Sequence, residues 1–213
     1  TLANLSAKFT FSGVASHAAA APERGRSALD AVESMNFMVN LLREHVPTTT
    51  RLHYVITNGG SAPNVVPNTA QSFYYVRHPD EATLRDIWDR VVATAEAAAM
   101  GTGTTMSYEI IHGNYSVLPN DTLAKVMHEK LSTVGGVDYD EADEKFADAL
   151  AKSLPNGIYN RAQAFDIKPF ETGQRGNGST DVGDVSWTVP TVGLRTAPWV
   201  PGTVAHTGQA VAA

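Results

Sequence analysis

Two amphipathic stripes, each bracketed by short alternating segments, constrain the fold of this chain more than any other feature. From Ser27 to Val46 the apolar residues Leu29, Val32, Met35, Val39, Leu42 and Val46 recur at spacings of three and four, and a second stripe runs through Leu84, Ile87, Trp88, Val91, Val92 and Ala95. Such spacing places apolar side chains on one face of a helix. Pro47 limits the first helix, and Asp80 is placed to cap the second. Lys8 to Val14 sets Phe9 and Phe11 on one side of a strand, with Gly13 marking a bend. Arg51 to Thr57 alternates Leu52, Tyr54 and Ile56 against His53 and Val55 and stops at Asn58-Gly59-Gly60. Ser72 to Arg77 carries Phe73, Tyr74, Tyr75 and Val76, and Met106, Tyr108 and Ile110 alternate in a fourth strand. The order strand, helix, strand, strand, helix, strand is the split βαβ arrangement of ferredoxin-like folds, an α+β domain with an antiparallel sheet and both helices on one face.

That domain is expected over residues 1–115, with Asn114 to Pro119 as a linker. The remaining residues, 116–213, read differently. Two helices separated by Gly135-Gly136 occupy Asp121 to Ser153, and beyond Pro155 come loops rich in Gly, Asn and Thr. The short apolar runs Val185 to Val189 and Thr191 to Leu194 are too few for a core of their own. They suggest two or three strands belonging to an α/β sheet completed by other segments.

Composition narrows the function classes. Of 213 residues 43% are hydrophobic and 18% charged, and the longest apolar runs fall far short of the ~20 residues of a membrane span. The net charge of -6 is spread along the chain with no basic cluster, which gives a nucleic-acid role no electrostatic support. With no cysteine, any metal must be held by His and carboxylates. A cysteine-free chain whose first residues show no basic-then-apolar signal fits a cytoplasmic location.

Three motifs carry chemistry. The first is Phe11-Ser12-Gly13-Val14-Ala15-Ser16-His17-Ala18-Ala19-Ala20-Ala21-Pro22-Glu23-Arg24-Gly25-Arg26-Ser27-Ala28-Leu29-Asp30-Ala31. The second is Gly59-Gly60-Ser61-Ala62-Pro63-Asn64-Val65-Val66-Pro67-Asn68, followed by a strand that ends in Arg77. The third is Gly176-Asn177-Gly178-Ser179-Thr180-Asp181-Val182-Gly183-Asp184-Val185-Ser186-Trp187, followed by Pro201-Gly202-Thr203-Val204-Ala205-His206-Thr207. On residue type alone, His17 is a histidine at a strand-to-loop junction, Asn64 a turn residue, Arg77 a strand-end cation and His206 a loop histidine.

Together the motifs resemble the M20-type metal-dependent amidohydrolases and, within them, the aminobenzoyl-glutamate utilization group. The latter likeness is strongest in His53-Tyr54-Val55-Ile56-Thr57-Asn58-Gly59-Gly60 and in Gly178 to Trp187. The resemblance implies a ferredoxin-like lid, or dimerisation, domain followed by part of a zinc-peptidase-like α/β catalytic domain. It implies that His17 reaches across a homodimer interface, or that of a paired subunit, to hold the oxyanion of a tetrahedral intermediate. It places substrate binding on Asn64, Arg77, Gly178, Ser179 and Thr180, and a metal-ligand role, for zinc or manganese, on His206. The implied reaction is hydrolysis of the amide bond between an acyl or aminobenzoyl group and an amino acid such as glutamate. These roles are chemically apt: a preorganised imidazole N–H stabilises developing negative charge, and a guanidinium fork matches a carboxylate.

The chain departs from the family in lacking any Glu-Glu pair, and its one His-x-Asp, His78-Pro79-Asp80, falls at a helix start where Asp80 reads as a cap. The expectation is therefore that most metal ligands and the general base lie in a preceding segment, and that this stretch alone is inactive. A non-catalytic dimerisation or small-molecule-binding module is the alternative.

Overall fold

The computed structural model describes residues 1–155, 158–174, 176–196 and 198–212. They fall into two compact units. One comprises Thr1–Leu118 with residues 175–189, and the other Pro119–Gln174 with residues 190–213.

The first unit is built on four strands, β1 (Ala3–Ser12), β2 (Arg51–Asn58), β3 (Thr69–His78) and β4 (Thr105–Asn114), in the order β2-β3-β1-β4 with every pairing antiparallel. Helices α1 (Ala28–Leu42) and α2 (Glu81–Thr102) cover one face of the sheet. This is the expected ferredoxin-like arrangement. The strands are longer than the alternating segments, because hydrogen-bond pairing carries β1 and β3 beyond their aromatic centres to full ten-residue register.

The helices begin where their caps say they should. Ser27 Oγ accepts from Asp30 N at 3.1 Å, and Asp80 Oδ1 accepts from Thr83 N at 2.8 Å. The His78-Pro79-Asp80 tripeptide is thus a helix start, with His78 buried and bonded to Thr49 Oγ1 and the Asp80 backbone. At the other end of α2, Gly103 adopts φ of 66°, the left-handed stop that a side chain disfavours.

Phe9, Phe11, Tyr74 and Val76 from the sheet meet Val32, Met35 and Val39 of α1 and Leu84, Ile87 and Val91 of α2 in one apolar core. Three polar side chains meet within it and satisfy one another: Tyr74 Oη donates to Asn36 Oδ1, which also accepts from Ser72 Oγ at 3.3 Å.

The second unit contains α3 (Asp121–Val134), α4 (Glu141–Ala151) and α5 (Ala162–Phe165), and α7 (Gly208–Ala212) near the chain end. Gly135, at φ of 91°, stops α3 as expected. Gly136 lies against the Phe165 carbonyl so closely that a Cβ there would sit 2.0 Å from its oxygen.

The strands expected from Val185 to Leu194 are not formed. Residues Val182–Ser186 are a short helix, α6, which belongs to the first unit, and Thr191 to Leu194 take no regular structure. The reason is local. Gly183 N bonds Thr180 O and Asp184 N bonds Asp181 O, and Ser186 Oγ donates to Gly183 O, so the backbone groups a strand would offer to a neighbour are already used within one turn. Among the described residues the four-stranded sheet is the only sheet. No helix among them is long and apolar enough to cross a membrane.

Candidate functional site

Beyond β1 the chain runs through the first motif, and the loop before β3 carries the second; the two are zipped side by side. Ala18 N bonds Asn64 O and Val66 N bonds Ser16 O, each at 2.9 Å, and His17 bridges to Val65 as in a two-residue sheet. Gly13 makes this possible: it lies so close to Arg26 that an added Cβ would be 1.9 Å from that carbonyl oxygen. His17 and Asn64 thereby share one exposed loop end.

His17 is oriented by its own loop. The backbone N–H groups of Ala19 and Ala20 both donate to Nδ1, at 3.2 and 3.1 Å. With Nδ1 committed as an acceptor, the neutral ring carries its proton on Nε2, where it can donate outward. Beside it, the Asn64 side-chain amide has no hydrogen-bond partner among the described residues. Two donors on one rigid loop end are suited to an oxyanion or a carbonyl oxygen.

Arg77 lies elsewhere. β1 and β3 run antiparallel with Ser12 opposite Thr69 and Asn4 opposite Arg77, so eight residue steps, about 27 Å at ~3.4 Å each, separate the two ends. His17 and Asn64 extend from the Ser12 end, whereas Arg77 stands at the Asn4 end on the sheet face opposite the helices. There its guanidinium packs over the Tyr75 ring at 5.0 Å, and its Nε is buried with no partner among the described residues. One chain does not bring Arg77 to His17 and Asn64.

The third motif folds against the first unit's linker. Gly178 O accepts from Leu2 N at 2.9 Å, while Thr180 Oγ1 donates to Asp181 Oδ1 and accepts from Val182 N. Ser179 Oγ is buried and without a partner among the described residues. Asp184 Oδ1 and Ser186 Oγ accept from the backbone N–H groups of Tyr115 and Leu118, each at 2.8 Å, and Trp187 Nε1 donates to Ser116 O at 2.9 Å.

His206 belongs to the second unit. It is exposed and holds φ of 64°, a left-handed backbone that side chains other than glycine's adopt at a cost and that recurs at functional positions. Among the described residues no three His, Asp or Glu side chains converge as a metal site would require. One imidazole is an incomplete donor set for zinc or manganese, which take about four or more ligands.

The fold has counterparts among known proteins. Residues 3–103 match the model of a peptidase dimerisation domain of the M20 class. Residues 3–103 are an M20-type peptidase dimerisation domain. Over 99% of its length the chain is 37% identical to one of the subunits of p-aminobenzoyl-glutamate hydrolase of Escherichia coli (strain K12), covering 49% of that protein. It is 32% identical to Xaa-Arg dipeptidase of Mus musculus, covering 84% of this chain and 35% of the relative. The chain thus spans about half or less of the length of these curated relatives. The crystal structure of aminobenzoyl-glutamate utilization protein from Klebsiella pneumoniae superposes with a TM-score of 0.51 at 23% identity, over 60% of this chain and 33% of that one, a likeness of fold.

The dimerisation domain also holds residues that the motifs do not single out. On the open sheet face Arg51 is directly opposite Arg77, and His53 is opposite Tyr75. The signal was present in the alternation of β2, since Leu52 is buried and its neighbours Arg51 and His53 must face the other way. Partial burial, and then the positive charges of Arg77, Arg43 and Arg51, hold the His53 pKa below its ordinary 6.5. The folded state therefore keeps His53 neutral where the unfolded chain is already protonated, and acidification below about pH 6.5 draws the equilibrium toward unfolding through this group. In an NMR titration His53 should have a midpoint below 6.5 that rises when Arg77 is replaced by Gln. A midpoint unmoved by R77Q would show that the charges on this face do not act on the ring.

Proposed function

We propose that this chain is the dimerisation lid and part of the catalytic domain of a hydrolase that cleaves the amide bond between an acyl or aminobenzoyl group and an amino acid such as glutamate. In this reading His17 Nε2–H and the Asn64 amide hold the carbonyl oxygen as it gains charge, Arg77 holds the amino-acid carboxylate, and Gly178, Ser179 and Thr180 line the substrate. His206 contributes one ligand to a divalent metal, zinc or manganese, whose other donors come from elsewhere in the protein. The observation that carries the reading is the paired backbone donation to His17 Nδ1, which leaves an outward N–H at an exposed loop end.

The separation of His17 from Arg77 supports a dimeric enzyme in this reading. β2 is an outer strand of the sheet, and unpaired edges invite another strand. Its Val55 and Ile56 are exposed, as are Phe37 (64%) and Leu41 (51%) one turn apart on α1. If two copies pair β2 with β2 about a two-fold axis, the strands run antiparallel, and the Arg51 end of one meets the Asn58 end of the other. Arg77 of one lid then shares an end of the extended sheet with the His17 loop of its partner. The relatives include two different subunits of p-aminobenzoyl-glutamate hydrolase from one organism, so a paired, non-identical chain could occupy the same edge.

The direct test is to incubate the full-length protein, supplied with zinc or manganese, with p-aminobenzoyl-glutamate and follow free p-aminobenzoate. Release at enzymatic rates is expected. If the metal-loaded protein binds the compound but leaves it intact, the chain is a binding module instead.

A further inference from the structure

The open sheet face carries a pair of cations that its fold does not explain. Arg51 and Arg77 are directly opposite one another on β2 and β3, which roots their side chains about 5 Å apart on the same face. Like charges so placed repel, and a sheet ordinarily avoids them. Neither guanidinium has a carboxylate within ion-pair distance among the described residues. Glu44, two residues beyond α1, forms no such pair.

The surroundings of Arg51 are those of a receptor rather than of a solvated cation. Its Nη1 donates to Thr48 O at 2.9 Å and Thr50 O at 2.8 Å, which fixes the guanidinium while its Nε and Nη2 make no bond to any described group. Beside it is a hollow of about 270 Å³, lined by Arg43, Glu44, Thr48, Thr50, Arg51 and His53 among others, so two guanidinium groups outnumber the one carboxylate in its wall. Two polar atoms in this part of the face are buried without partners among the described residues: Thr50 Oγ1, in the wall of the hollow, and Arg77 Nε. Buried donors with nothing to bond are costly, and a ligand bearing acceptors would relieve both.

We propose that Arg51, with the Thr50 hydroxyl and His53, binds a second carboxylate of the same amino-acid group whose first carboxylate is held by Arg77, so that the site selects dicarboxylic amino acids over their neutral counterparts. The proposal rests on the hydrolase reading for the role of Arg77. It adds a specificity that Arg77 alone does not supply, since one guanidinium fork treats every α-carboxylate alike. The two carboxylates of a glutamyl group, joined by a short carbon chain, match two guanidinium groups rooted on adjacent strands. A glutaminyl group, its second carboxylate replaced by an amide, would leave the Arg51 charge without a counter-ion.

The experiment uses the metal-loaded full-length protein with two substrates, p-aminobenzoyl-glutamate and p-aminobenzoyl-glutamine, and reads the ratio of their kcat/KM values. The wild-type ratio is expected to favour the glutamyl compound by about 10-fold to 100-fold. R51Q should reduce that preference by about tenfold or more, R51K by less because the charge remains without the fork, and R77Q should lower both substrates together. Because R51Q also removes two bonds to the β2 turn, Thr50→Val serves as a second variant that deletes only the unpartnered hydroxyl, with a preference loss of several-fold expected. An unchanged ratio in both R51Q and T50V, or an equal loss on both substrates, would overturn the proposal. Calorimetry with free glutamate and glutamine separates it from the hydrolase reading. If neither amide is cleaved, the hydrolase reading fails. The dicarboxylate site then stands if glutamate binds more tightly than glutamine and R51Q abolishes the difference, and falls if the two bind alike.

Discussion

A His17→Ala variant of the full-length protein is expected to lose about two to three orders of magnitude in kcat, the usual loss when one preorganised oxyanion donor is removed. The informative experiment mixes it with a second inactive variant. Arg77→Gln should fail for a different reason, weak holding of the substrate carboxylate. Since the His17 loop and Arg77 stand at opposite ends of one sheet, each site in the proposed dimer takes its imidazole from one lid and its guanidinium from the other. A mixed dimer of H17A with R77Q then contains one site with both groups intact and one with neither. Random reassortment of equal amounts makes about half of the dimers mixed, so about a quarter of wild-type activity should return. A mixture no more active than the sum of its parts would mean that both groups serve one site from a single lid, against the antiparallel geometry.

The second large effect concerns stability. Phe9 is fully buried, with its ring centroid 5.7 Å from Tyr74, 5.9 Å from Trp88 and 5.4 Å from Tyr108. Phe9→Ala removes an aromatic from the point where β1, β3, β4 and α2 meet, and should cost about 3–5 kcal/mol. Against a total of ~5–15 kcal/mol that is a large share. Followed by Trp88 fluorescence in a background with Trp187 and Trp199 replaced by Phe, the urea midpoint should fall by about 2 M at an m-value near 2 kcal/mol/M. The same change at Phe73, on the open face, should matter far less. Equal shifts at the two positions would contradict the assignment of core and open faces.

The sequence carried the dimerisation domain well, for a physical reason. Its two helices and four strands each bury one face, so Leu84-Ile87-Trp88-Val91 and Leu52-Tyr54 print the core into the sequence as periodicity. Caps such as Asp80 are equally local, since their bonds span three residues. Two kinds of information were less accessible. Val185 to Val189 is as apolar as a strand, and only the turn bonds around Gly183 make Val182–Ser186 a helix. The distance between Asn64 and Arg77 was also hidden. The fourteen residues from Asn64 to Arg77 read as one motif in the sequence, yet β3 carries its two ends to opposite ends of the sheet. His17 itself was legible through its motif, whereas its tautomer depends on the Ala19 and Ala20 backbone positions that only the folded loop defines.

The bonds from Asp184, Ser186 and Trp187 to residues 115–118 have a mechanical consequence. These partners lie 68 to 71 positions apart in the chain, so the exit from β4 is gripped by a segment synthesised long after the sheet is complete. Gly183 tightens the grip, because a Cβ there would fall 1.9 Å from the Tyr115 carbonyl oxygen. A free six-residue segment would sample many backbone conformations. This one is held at three points, so the course of residues 115–118 is set by side chains that stand about seventy positions further along the chain.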